Sequence, residues 1–156
     1  FFIFLFASVG TLKQTGVTSV IATRIIELSG GSIPVLTSLF AWSSWLLTSI
    51  MDNVLAVATF VPIVSDVANA GLQTFPLWWA MLMGGTLGGN ATLIGSTANI
   101  VAAGLLERRE MGTITFQQWL KPGMIVAVST MLVALMLLLL QLPLMPSDVA
   151  AIPTPR

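Results

Sequence analysis

The chain contains no cysteine and no histidine, and only 8% of its 156 residues are charged. The first two absences exclude disulfides, thiolate or imidazole metal ligands, and nucleophilic mechanisms that use a histidine base. Six basic residues balance six acidic ones, so the net charge gives no indication of nucleic-acid binding or of electrostatic attraction to a membrane surface. Carboxylates, hydroxyls, amides and backbone carbonyls remain, and these are hard oxygen ligands.

The chain is instead rich in apolar residues. They make up 56% of it, above the roughly 45–50% of soluble domains, while its charged fraction lies far below their usual 25% or so. Twelve charged residues cannot cover a soluble exterior, so we expect an all-α, multi-pass integral protein of the plasma or inner membrane, with the lipid bilayer as a partner. The opening FFIFLFASVG lacks an initiator Met and a basic segment, which predicts the end of a membrane helix in a longer protein.

One long apolar stretch, Ile33 to Val64, contains Asp52 as its single charge. A straight helix over that length would measure about 45 Å, well beyond an apolar core of roughly 30 Å. We therefore predict a break at Asp52 and Asn53, with two arms, Pro34–Met51 and Leu55–Asn69, that form a re-entrant hairpin or a broken span.

A second apolar stretch, Leu77 to Leu106, has no charge but contains GGTLGGNATLIGSTAN, which is too polar for a uniform lipid-facing helix. This composition predicts a second break near Thr92–Ala98. On either side we expect an interfacial amphipathic helix over Val17–Ser29 and an uninterrupted last span over Gly123–Leu142. The proline-rich tail, 146–156, is predicted to be irregular.

Basic residues concentrate between the last two predicted spans. Arg108, Arg109 and Lys121 lie in one short segment there, and short cytoplasmic loops carry an excess of such residues. We therefore predict that this loop is cytoplasmic and that the C-terminus lies outside.

Two chain breaks within fifty residues predict a binding site. Non-helical backbone at membrane depth is tolerated only where it is buried in protein or lines a wet cavity, and broken helices leave N–H and C=O groups free to hold ions. The predicted ion- or substrate-binding residues are Ser49, Asp52, Asn53, Asn90, Thr92, Gly95, Ser96, Thr97 and Asn99. Asp52 and Asn53 are the candidate Na⁺ ligands, and Asp52 could alternatively carry a proton. We expect no cofactor beyond Na⁺ or H⁺ as coupling ion.

Each of these features has a simpler alternative. Asp52 could merely accept N–H bonds at a helix end. The glycine pairs Gly84/Gly88 and Gly85/Gly89 form small-xxx-small patterns, which on their own indicate close helix packing rather than ligand binding.

SIMDNVLAVATFVPI, followed by GGTLGGNATLIGSTANIVAAG, resembles the C-terminal half of the ion transporter superfamily. The nearest branch holds arsenite-pump membrane subunits, NhaD-type sodium–proton antiporters and the melanosomal P protein; divalent anion:sodium symporters are more distant. The resemblance implies that residues 1–145 are the second of two inverted repeats, with an arm helix at Val17–Ser29, a hairpin at Pro34–Asn69 and a broken span at Leu77–Leu106. It also implies an N-terminal repeat upstream, an elevator mechanism and a homodimer.

By this resemblance the protein is a secondary active transporter and not an enzyme. Asp52 and Val54 stand where the symporters have Ser and Thr, and a carboxylate there would repel an anion unless a cation or proton offset its charge. We therefore favour Na⁺/H⁺ exchange or efflux of a small oxyacid such as arsenite, with sodium-coupled carboxylate symport as the alternative. Other classes are an intramembrane aspartyl hydrolase using Asp52 and Asp66, although we expect Asp66 near water at the end of its arm, or a structural membrane subunit.

Overall fold

The computed structural model describes residues 2–146, which form seven α-helices, two short 3-10 turns and no strand within that range. This confirms the predicted all-α class, whereas the tail from Ser147 onward lies outside the described residues. The α-helices are α1 (Phe2–Gln14), α2 (Val17–Ser29), α3 (Ile33–Ile50), α4 (Asn53–Asn69), α5 (Phe75–Leu87), α6 (Thr97–Arg108) and α7 (Phe116–Gln141). The 3-10 turns are Gly88–Asn90 and Leu142–Leu144.

Two segments of the described chain, Ile33–Ile50 and Phe116–Leu144, are long and apolar enough to cross a membrane. Helix α7 alone has 26 residues, or about 39 Å at 1.5 Å per residue. The prediction that this last span begins at Gly123 was wrong, because α7 begins at Phe116. Thr115 and Gln118 form a capping box that starts the helix early, and the helix continues through Pro122, which removes a single backbone donor.

The first predicted break lies where we expected it. Helix α3 ends at Ile50, Met51 and Asp52 are extended, and α4 begins at Asn53, two residues earlier than predicted. Two extended residues are enough to separate the helices, and the tip of the hairpin is Asp52.

The second break begins earlier than predicted. Helix α5 ends at Leu87, a 3-10 turn covers Gly88–Asn90, and the chain then runs irregularly until α6 begins at Thr97. The irregular part includes Thr92, as expected, but the regular helix is already lost at Gly88. This division leaves two short helices, of 13 and 12 residues, on either side of the break.

Helices α3 and α5 touch through their backbones at two glycines. A Cβ on Gly84 would lie 2.3 Å from the carbonyl oxygen of Ala41, and one on Gly88 would lie 2.3 Å from that of Trp45. Only a residue without a side chain permits so close an approach. The packing interpretation of this glycine pair therefore holds.

The apolar core lies between α3, α4, α5 and α7. The rings of Phe40 and Phe60 pack with their centroids 5.8 Å apart and join the two arms of the hairpin. Helix α7 buries one narrow stripe in this core, whereas most of its other apolar side chains are exposed, as expected for a helix that faces lipid. The stripe consists of Ala127, Met131, Leu135 and Leu138.

Helix α2 has the predicted bounds, between left-handed Gly16 and Gly30. It packs on the protein through Thr18 and Ala22, whereas Val20 and Leu28 are 62% and 75% exposed. Apolar side chains that point away from the protein suit a helix at the edge of the bilayer.

Asp66 lies near the C-terminal end of α4, as expected, but it is half-buried and not simply hydrated. Its Oδ2 accepts a hydrogen bond of 2.9 Å from the hydroxyl of Thr18, which is buried. Asp66 therefore connects the far end of the hairpin to α2.

Candidate functional site

The carboxylate of Asp52 connects the two chain breaks. Its Oδ1 accepts the backbone N–H of Val54 at 2.9 Å and so caps α4. Its Oδ2 accepts the hydroxyl of Thr97, the first residue of α6, at 3.0 Å. Asp52 is thus a helix-end acceptor, as the simpler interpretation has it, but only one of its oxygens serves that purpose.

A second connection lies deeper, between the end of α3 and the irregular segment after α5. The hydroxyl of Thr92 donates to the carbonyl oxygen of Ser49 and accepts the N–H of Gly95 at 3.0 Å. The hydroxyl of Ser49 donates within its own helix, to Leu46 O at 2.7 Å. Ser49 therefore contributes its backbone carbonyl to this region, and Thr92 holds that carbonyl.

Gly95 lets the irregular segment lie directly against the end of α3. A Cβ at this position would be 2.9 Å from the carbonyl oxygens of both Gly89 and Thr48, and 3.1 Å from that of Ser49. The last carbonyls of a helix have no partner within it, and they carry its partial negative charge. Gly95 thus lies among three carbonyl oxygens, of which those of Ser49 and Gly89 accept hydrogen bonds from Thr92 and Asn99.

Asn99 holds the irregular segment from the side of α6. Its Nδ2 donates to Gly89 O at 3.0 Å and to Thr92 O at 3.2 Å. One amide group thereby fixes the beginning and the middle of the break. The sequence indicated Asn99 as a site residue, but nothing in its local pattern indicated these two partners.

The other predicted site residues differ in their exposure and in their contacts. Asn53 and Thr97 are exposed at the first positions of α4 and α6, and Ser96 is half-buried just before α6. Asn90 is also exposed, but its backbone carbonyl accepts a 3.1 Å hydrogen bond from Nε1 of Trp119 in α7. Asn90 is therefore turned toward α7, and Trp119, which the sequence analysis left outside the site, contacts the break directly.

The ends of four helices provide the electrostatics of this region. The N-termini of α4 and α6 meet through the Asp52–Thr97 hydrogen bond, and helix N-termini favour anions. The carbonyl ends of α3 and α5 lie behind them, around Gly95. No cluster of three acidic side chains exists among residues 2–146, so a cation held here would have one carboxylate, with hydroxyl and carbonyl oxygens as further ligands.

Comparison with known proteins gives the family. The family model described as citrate transporter, CitMHS, matches residues 1–152. The chain belongs to this family. The predicted membership of the ion transporter superfamily is thereby confirmed, and the protein is a membrane protein of a family that carries out transport.

The proteins to which this chain is similar include proteins described as transporters. An uncharacterized transporter of Mycobacterium tuberculosis is 40% identical over 141 residues, which are 88% of this chain and 33% of the relative. One from Synechocystis is 32% identical over 151 residues, covering 86% and 33%. The human P protein is 38% identical over 88 residues, 54% of this chain and 10% of that protein. The chain thus spans about a third of the length of the transporters it matches, and no solved structure matches it.

Proposed function

We propose that this chain forms one half of the translocation site of a cation- or proton-coupled secondary transporter, with Asp52 as the coupling residue. The observation that carries this proposal is the pair of hydrogen bonds by which one carboxylate joins the hairpin tip to Thr97 at the other break. A cation or proton on Oδ2 competes with the Thr97 hydroxyl for the same oxygen. Occupancy of Asp52 therefore changes the contact between the two breaks.

The substrate we propose is a small carboxylate, of which citrate is the first to test. Two helix N-termini at the Asp52–Thr97 contact favour an anion, and the family description names citrate. A cation bound at Asp52 would offset the repulsion between its carboxylate and the substrate. These points support sodium-coupled carboxylate symport more than the Na⁺/H⁺ exchange that the sequence favoured.

Na⁺/H⁺ exchange, or efflux of an oxyacid such as arsenite, remains the second candidate. It is supported by the acidic side chain at the hairpin tip, where a hydroxyl would be better suited to a purely anionic substrate. In that case Asp52 would alternate between Na⁺ and H⁺ with no organic anion in the site.

The remaining part of the site belongs, in this proposal, to an inverted N-terminal repeat upstream. Asn53, Val54 and Thr97 are exposed around the Asp52 carboxylate, and the upstream repeat would cover this surface. We further propose a multi-pass protein that works by an elevator motion as a homodimer, without a cofactor.

An enzymatic role fits the geometry poorly. Asp52 and Asp66 are fourteen positions apart along α4, or about 21 Å at 1.5 Å per residue, so they cannot act as a facing carboxylate pair. Asp66 is also hydrogen-bonded to Thr18. We therefore propose a transporter and not an aspartyl hydrolase; a purely structural subunit would not need a carboxylate shared between two breaks.

The test uses the full-length transporter in proteoliposomes. Uptake of radiolabelled citrate is measured under imposed Na⁺ or pH gradients, alongside Na⁺-driven proton movement without citrate. Asp52→Asn keeps the side-chain shape and should abolish cation-driven flux, whereas the matched control Asp66→Asn should retain it. An Asp52→Asn protein with unchanged Na⁺ and pH dependence would contradict the proposal. Proton movement that needs no citrate would favour the exchanger.

A further inference from the structure

The irregular segment of the broken span is held by side chains from two other helices. Asn99 in α6 donates to the carbonyls of Gly89 and Thr92, and Trp119 in α7 donates to the carbonyl of Asn90, which lies between them. Three of four successive residues thus have their carbonyls fixed by side chains from other helices. This pattern distinguishes the break from an ordinary loop, whose carbonyls face water.

We propose that Trp119 is a positioning residue for the transport site. Its one hydrogen bond to a predicted site residue is to the backbone carbonyl of Asn90, two residues before Thr92, and Thr92 in turn holds the Ser49 carbonyl. The inference rests on the proposed function in one respect, since it takes the break to be part of the site.

The backbone of α7 is shaped to admit this contact. A Cβ on Gly123 would lie 2.7 Å from Asn90 O and 2.8 Å from Nε1 of Trp119, the two atoms that form the hydrogen bond. Gly123 therefore leaves the space in which donor and acceptor meet. A side chain at position 123, one helical turn from Trp119, would thus occupy the place of this hydrogen bond.

The start of α7 is also built to orient the indole. Thr115 and Gln118 cap the first turn reciprocally, with Thr115 N donating to Gln118 Oε1 at 2.9 Å. Pro122 has no N–H, so the carbonyl of Gln118 loses its usual partner one turn later. The backbone of the turn that carries Trp119 is therefore held by the Thr115–Gln118 cap, and it makes one backbone hydrogen bond fewer to the rest of α7.

The other tryptophans offer a contrast. Membrane proteins often place tryptophan at the lipid interface with its N–H toward water. Trp79 is 45% exposed. Trp45 uses its N–H on Ala127 O at 3.3 Å, but this bond joins two regular helices in the core. Trp119 differs from both because its partner belongs to the broken segment.

The test compares Trp119→Phe with the unaltered full-length transporter. Removing the N–H frees the Asn90 carbonyl, so amide hydrogen exchange across residues 88–96 should become about tenfold faster. The KM for Na⁺ and for citrate should rise about three- to tenfold, the range expected for one lost hydrogen bond, while Vmax changes less than about twofold. A residue that only stabilised the fold would lower the amount of active protein, and hence Vmax, at an unchanged KM.

Two matched controls isolate the effect. Trp45→Phe removes an indole–carbonyl bond from the core, and Trp79→Phe removes an exposed indole; both should leave KM and exchange at 88–96 unchanged. Gly123→Ala should raise both KM values and speed exchange at 88–96 as Trp119→Phe does, with the tryptophan still present. If Trp119→Phe does not insert into the membrane, Gly123→Ala tests the inference in its place.

Wild-type KM and wild-type exchange in Trp119→Phe and Gly123→Ala would overturn the inference. If Asp52→Asn loses cation coupling while the Trp119 variant behaves as wild type, the inference fails and the proposed function stands. If instead Trp119→Phe raises both KM values and Asp52→Asn keeps normal coupling, Trp119 is a positioning residue and the coupling site lies elsewhere.

Discussion

Replacing Gly84 with alanine should separate α3 from α5. The added Cβ would lie 2.3 Å from the carbonyl oxygen of Ala41 and 3.0 Å from the backbone nitrogen of Trp45. Both are backbone atoms of a buried helix and cannot rotate away. Restoring an ordinary contact of about 3.4 Å requires the helices to move apart by roughly 1 Å along the whole interface.

The size of the effect follows from two opposing terms. Overpacking a well-packed interface costs about 1–3 kcal/mol, and a rigid backbone obstacle puts Gly84→Ala near the upper end. Alanine recovers about 1 kcal/mol because it is the better helix former. We therefore expect Gly84→Ala to lower the free energy of unfolding by about 2 kcal/mol.

Gly104 provides the matched control. It lies inside α6, and nothing is within 4 Å of a Cβ placed there, so Gly104→Ala should raise the free energy of unfolding by up to about 1 kcal/mol. Unfolding of the purified protein by sodium dodecyl sulfate in mixed micelles measures both variants against the parent. A Gly84→Ala protein as stable as Gly104→Ala would refute the argument that the backbones touch.

Three further outcomes are expected. Thr37→Val should raise the free energy of unfolding by about 1 kcal/mol in the same assay, because the buried Thr37 hydroxyl has no hydrogen-bond partner among residues 2–146; a loss of stability would count against this. Glu110→Gly should stabilise by about 1 kcal/mol, since Glu110 has a φ of 56° at the end of α6, and a neutral result would argue against backbone strain there. In a cysteine-free full-length background, impermeant maleimide applied to intact cells should label Leu144→Cys but not Thr113→Cys, and the reverse pattern would invert the orientation.

Local sequence signals located much of the fold. The predicted bounds of α2 were correct, and a lone carboxylate in an apolar stretch marked the tip at Asp52. The start of α7 was predicted at Gly123, whereas the capping residues Thr115 and Gln118 lie further upstream and begin the helix at Phe116. Capping chemistry was readable from the sequence, so this error was avoidable.

The contacts between site residues could not be predicted from such local sequence signals. Asp52 and Thr97 are 45 positions apart, and Trp119 reaches Asn90 over 29. These contacts depend on how separate helices pack, including α7 against the turn after α5, and residue spacing within one helix does not predict that packing. The early end of α5 at Leu87 was also missed, because Gly88 lies against the backbone of Trp45 in α3, and its neighbours in sequence do not indicate that contact.

The close contacts of Gly84 and Gly88 with α3 mean that the two arms of the hairpin are joined to α5 with different rigidity. Helix α3 is joined to α5 backbone to backbone, so these two helices are expected to behave as a single rigid plate. Helix α4 meets α5 through a side chain and not through its backbone, since Val57 Cγ2 would lie 2.8 Å from a Cβ on Gly85. Its far end is attached to α2 by the Asp66–Thr18 bond. We therefore expect the tip to open when α4 rotates about its end at Asp66. The backbone at Met51 and Asp52, which connects α4 to α3, would bend to allow this movement.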